Sequence, residues 1–171
     1  MSADYKLPPE LVQAAQSLEQ QIRDSGVISR TIPLSEWDSL APKIKNFVPR
    51  WLASLLANHK LAEVAFKRPH ESQNWERYFY FWLPFAYAKR VTPDDPIASK
   101  TNGWWLTKEM IDRGYIPLSD ESDGDLWVTP ISGDATSPIY LYSLTADCFI
   151  LAGETIAAFL ASCAISDEEH R

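Results

Sequence analysis

Between Gly114 and Cys163, four short apolar runs follow one another with only turn and loop residues between them, and few folds accept that pattern. Residues 115–119 read as a strand, Asp123-Gly124 as its turn and 125–129 as the returning strand, because an Asp-Gly pair tolerates the positive φ of a tight hairpin. A loop at 132–138 (Ser-Gly-Asp-Ala-Thr-Ser-Pro) leads to further strands at 139–143 and 148–152. Ile156, Phe159, Leu160 and Cys163 then recur at helical spacing and predict a closing helix. Strands joined by connections this short pair antiparallel.

Upstream the period is mostly helical. Pro8 and Pro9 lead into a stripe of Leu11, Ala15, Leu18 and Ile22, and Gly26 supplies a stop, which predicts a helix over 9–24. Such a stripe should not stay wet, so this N-terminal helical extension, residues 1–30, is expected to pack on the rest of a single domain, 1–171. Ser35 and Asp38 resemble a capping box for a helix from Glu36 towards Phe47. Pro49 suits the start of another, with Trp51, Leu52, Leu55 and Leu56 on its apolar side. Residues 61–67 and 78–87 are rich in β-branched and aromatic residues and read as strands across a polar loop at 68–76, with Pro84 marking a bulge or strand end. Thr92-Pro93-Asp94-Asp95-Pro96 breaks the chain, and 107–113 reads as a short helix ended by Gly114. The expected class is α+β: a mainly antiparallel sheet with N-terminal helices and a C-terminal helix packed on it.

Charge divides the chain at the same point as the pattern does. Up to Arg113 there are fifteen Lys/Arg against thirteen Asp/Glu; beyond it only Arg171 opposes ten acids, so the net charge of −7 comes from the last third. Nucleic acid and anionic membranes need clustered Lys and Arg, so neither is an expected partner. A cationic partner fits, and so does plain solubility. The longest apolar stretch, around 78–88, falls far short of the ~20 residues of a membrane helix. Residues 1–6 carry no signal-peptide pattern. Cys148 and Cys163, both among apolar neighbours, read as buried thiols of a reducing compartment, which makes the cytoplasm the expected location.

Catalytic patterns are missing. His59, His70 and His170 stand apart from one another and from Cys, and no Gly-rich phosphate loop or nucleophile elbow occurs. A calcium loop beginning at Ser119 fails because Pro130 occupies its twelfth position. No cofactor, metal or catalytic residue is therefore expected. Asp94 and Asp95 read as a solvated turn, and Trp104-Trp105 as one core and one surface residue. The candidate partner site is the acidic hairpin of Asp120, Glu121, Asp123 and Asp125, with Trp127 or Trp104 as an apolar anchor. Four acids in six residues repel one another, and a cationic partner would supply a reason to gather them.

The order Gly114-Tyr115-Ile116-Pro117-Leu118-Ser119-Asp120, then Asp123-Gly124-Asp125-Leu126-Trp127-Val128, is similar to the core of the SUKH superfamily, where an Ile-Pro-containing strand precedes a Gly-Asp turn and an apolar strand. Pro138-Ile139-Tyr140-Leu141-Tyr142 and Thr155-Ile156-Ala157-Ala158-Phe159-Leu160 resemble its next strand and final helix. Val48-Pro49-Arg50-Trp51-Leu52 looks like its Leu-Pro helix entry, and Phe79-Tyr80-Phe81-Trp82-Leu83 like its central aromatic strand. The likeness spans residues 33–165 and departs where Ala57-Asn58-His59-Lys60 replaces a Gly-Gly pair. It implies a non-enzymatic protein: a bacterial immunity protein that neutralises a toxin, often a basic nuclease, or a regulatory scaffold like the fungal cell-wall assembly regulators. A small hydrolase is the reading from a different class.

Overall fold

The computed structural model describes residues 5–38, 46–69, 76–81, 109–120 and 125–166. Among the described residues its helices are α1 (Pro9–Ser25), α2 (Leu34–Asp38), α3 (Arg50–Asn58) and α4 (Ile156–Ala161); 109–112 are helical as well, within the short helix expected at 107–113, and Gly114 follows at φ 90°. Pro9 sits in the first turn of α1, where a missing N–H costs nothing, and Gly26 closes the helix at φ 72° with its N–H on the carbonyls of Arg23 and Ile22. Leu11, Ala15, Leu18 and Ile22 are all buried, so the N-terminal extension belongs to the body of the fold. It packs against α4, and its Gln21 side chain accepts the Ile165 N–H.

Two of the predicted helix starts shift by a residue or two. α2 begins at Leu34, which places Ser35 inside the first turn instead of at its cap; the Glu36 N–H donates to the Pro33 carbonyl. The predicted continuation over 39–45 lies outside the described residues. Pro49 caps α3 without entering it, and the expected Trp51, Leu52, Leu55 and Leu56 are buried along with Ala53 and Ser54.

Among the described residues, seven strands form two antiparallel sheets. β1 (Phe66–Pro69), β2 (Glu76–Phe79) and β7 (Ala164–Ile165) make one, in the order β2-β1-β7. β3 (Tyr115–Asp120), β4 (Leu126–Pro130), β5 (Ile139–Ser143) and β6 (Cys148–Gly153) make the other as a meander, β3-β4-β5-β6. The α+β class and the four C-terminal strands thus stand as expected. The strand expected at 61–67 is displaced to 66–69, because Leu61, Ala62, Val64 and Ala65 are all buried and Glu63 takes φ 67°, which no alternating strand allows. The strand expected at 78–87 starts earlier and ends at Phe79; 82–87 lie outside the described residues. β7 was not anticipated.

The core joins these layers through rings. Phe159 of α4 packs on Phe79 and Trp127 with centroids 4.9 and 5.0 Å away. Hydrogen bonds also link the sheets: Trp127 Nε1 donates to the Tyr78 carbonyl at 2.9 Å, and the Tyr80 N–H, just beyond β2, donates to Ser119 Oγ at 3.2 Å. Thr155 Oγ1 caps α4 by accepting the Ala158 N–H. Gly153 lets α4 sit close on β6, since a Cβ there would stand 2.9 Å from Phe159 Cβ.

Candidate interaction surface

In a meander, alternate turns fall at the same end of the sheet. Here the β3–β4 and β5–β6 turns do so, and they are fastened to each other, because Asp125 Oδ1 accepts the Leu144 N–H at 3.0 Å. Register pairs Ser119 with Trp127 and Asp120 with Leu126, so the predicted hairpin exists, with Asp120 and Asp125 flanking its turn. Glu121, Asp123 and Trp104 lie outside the described residues.

Several of the acids in this third have local duties. Asp147, at φ 45° in the β5–β6 turn, accepts the Tyr142 hydroxyl at 2.8 Å and Arg113 Nη1 at 3.0 Å. Those two donors, Tyr142 first, hold its carboxyl below the usual range. Asp134 accepts both the hydroxyl and the backbone N–H of Thr136, which lower its pKa in the same way. Asp125 likewise has a turn to hold. Folding therefore gives a reason for Asp125, one of the four acids of the hairpin, and for Asp134 and Asp147 outside it.

Trp127 is a correction. It is 1% exposed and wedged between Phe79 and Phe159, so it anchors the core and cannot anchor a partner. Cys148 is another: it is exposed at the start of β6, the outer strand of the meander, where apolar neighbours in sequence do not mean burial. Cys163 is buried as expected, and burial pushes its thiol up to about 12.

One face of the meander carries an aromatic cluster. Tyr115, at the start of β3, stacks on Phe149 of β6 at 4.5 Å, so the twist of the sheet brings side chains of its two outer strands together. Tyr142 packs on Phe149 at 5.1 Å, and the Arg113 guanidinium lies 4.9 and 5.3 Å from the Phe149 and Tyr142 centroids. Burial, then the Asp147 carboxylate, raises the Tyr142 pKa. Arg113, the last base before Arg171, is thereby occupied at home.

What faces solvent on β6 is apolar. Ile150 is 50% and Leu151 55% exposed, in a strand, Cys-Phe-Ile-Leu-Ala-Gly, without charge or proline. That six-residue run between Asp147 and Glu154 is the signal sequence reading passed over. A groove of about 530 Å³ also opens between α1 and α4, rimmed by Glu10, Gln13, Ser17, Gln21 and Thr155. Among the described residues no three His, Cys, Asp or Glu gather as a metal site, and no helix is long and apolar enough to cross a membrane. His59 is nearly buried and bonded through Nδ1 to Glu19 at 3.0 Å, a link between α3 and α1. Comparison with family models, with curated proteins and with solved structures returned no match.

Proposed function

We propose that this chain is a non-enzymatic protein-binding domain, an immunity protein of the SUKH type that works in the cytoplasm by occupying a basic, nuclease-type toxin. The observation that carries this reading is the exposed apolar strand β6 beside a sheet end whose flanking residues, Asp120, Asp125 and Asp147, are acids. Apolar contact supplies affinity, and surrounding negative charge speeds encounter with a cationic surface and repels wrong partners. A nuclease groove built to receive phosphate is such a surface. The hydrolase reading gains no support from the groove between α1 and α4: its thiol, Cys163, stays protonated at neutral pH, and no His is among its lining residues.

The test is co-expression with the toxin-like domain encoded by the neighbouring reading frame. Restored growth together with a 1:1 complex is the expected result. A complex without restored growth would instead indicate a regulatory scaffold, and neither complex nor protection would overturn the binding function.

A further inference from the structure

We infer that β6 is a pairing edge whose occupant is a β-strand of the partner, apolar at its centre and bearing Lys or Arg at its ends. This rests on the binding function proposed above and names the surface through which it acts. The two outer strands of the meander are treated differently by the fold. β3 carries Pro117, a register shift between Pro117 and Ser119, and buried residues from Ile116 to Ser119, with Tyr80 bonded to Ser119. Those are devices that stop a sheet from growing. β6 has neither a charge nor a proline. Only a register shift near Ala152 interrupts it, which leaves 148–151 as a regular ladder against β5.

Its side chains suit an added strand on both faces. Ile150 is paired with Leu141 and Leu151 with Tyr140, so the two exposed apolar groups stand on opposite sides of the sheet. An incoming strand would gain main-chain bonds to the edge and an apolar neighbour on each face.

Charge selects the occupant. The strand is bracketed by Asp147 and the exposed Glu154, and no Lys or Arg occurs from 114 to 170. The nearest base, Arg113, is held by Asp147. A strand with basic ends therefore meets a carboxylate at each end of β6, Glu154 exposed and Asp147 shared with Arg113. A second copy fits worse: antiparallel self-pairing sets the Asp147 end of one strand against the Glu154 end of the other, between chains of −7 each.

The full chain is titrated by NMR at low salt with two peptides, Val-Thr-Val-Ile between paired lysines and the same core between paired glutamates. Amide shifts and slowed exchange should be confined to 148–151, with affinity at least ~10-fold higher for the lysine peptide. Ile150→Lys should abolish binding at unchanged melting temperature, while Ile150→Thr, which keeps strand propensity, retains it. Three results overturn the inference: shifts elsewhere, equal affinity for both peptides, or protection of 148–151 that grows with protein concentration in the absence of peptide. In the co-expression assay, an Ile150→Lys chain that still protects retires the edge and leaves the binding function standing. A wild-type chain that fails to protect removes both.

Discussion

Replacing Trp127 by Phe separates a core role from a surface role. Trp127 is 1% exposed, and its indole N–H donates to the Tyr78 carbonyl at 2.9 Å, tying β4 to β2. Phe keeps an aromatic ring against Phe79 and Phe159 but removes that donor and part of the indole. Losing that hydrogen bond costs ~1–1.5 kcal/mol. The space vacated, some tens of Å³ at about 24 cal/mol per Å³, adds ~1 kcal/mol. The total of ~2–2.5 kcal/mol should lower the melting temperature by roughly 5–10 °C in a chain of this size. Urea unfolding followed by far-UV circular dichroism measures it, with the midpoint falling and the slope unchanged. A loss below ~0.5 kcal/mol, the scale of surface substitutions, would refute the core assignment.

Glu19→Ala should destabilise by ~1–3 kcal/mol at pH 7, since it strips acceptors from His59 and the Lys60 N–H. Burial alone would raise the Glu19 carboxyl, but those bonds outweigh it and hold the pKa below its ordinary 4.5. Its contribution is therefore complete above about pH 4.5 and lost as pH falls through the lowered folded value, so the variant should show a shallower acid-unfolding slope. Gly153→Ala drives a Cβ against Phe159 and should cost ~1–3 kcal/mol by thermal unfolding; a neutral result would mean α4 is looser on β6 than described. Reversing Asp120, Glu121 and Asp123 to Lys should slow association with the partner at least ~10-fold at low salt and converge with wild type at high salt. Unchanged rates by stopped flow would make the acidic hairpin a solubility device.

Where local chemistry decided the structure, the sequence was readable. α1 has Pro and Gly at its two ends, and β5 has a loop closed by Pro138 before it, so both emerge close to their expected bounds. Residues 61–65 misled because consecutive apolar residues satisfy a buried irregular segment as well as a strand, and periodicity cannot separate the two. β7 spans two residues, too few for any period. Trp127 shows a different limit. Alternation places it on one face of β4 but cannot say which face is wet, and α4, arriving about thirty residues later, covers that face. The acids of the turns had a local signal that charge counting passed over: Asp134 precedes Thr136 by two, the spacing at which a carboxylate closes its own turn. The exposure of β6 was half legible: its uncharged run between Asp147 and Glu154 stands in the sequence, but its place as an outer strand follows only from sheet order.

The central claim is that the chain silences its partner by stoichiometric occupation and performs no chemistry. Titrating the purified chain into the nuclease activity of the toxin domain tests it, with the intact masses of both polypeptides recorded. The account predicts a linear loss of activity that ends at one equivalent, with both masses unchanged. Inactivation by a small fraction of an equivalent, a changed mass, or full activity at several equivalents would contradict it.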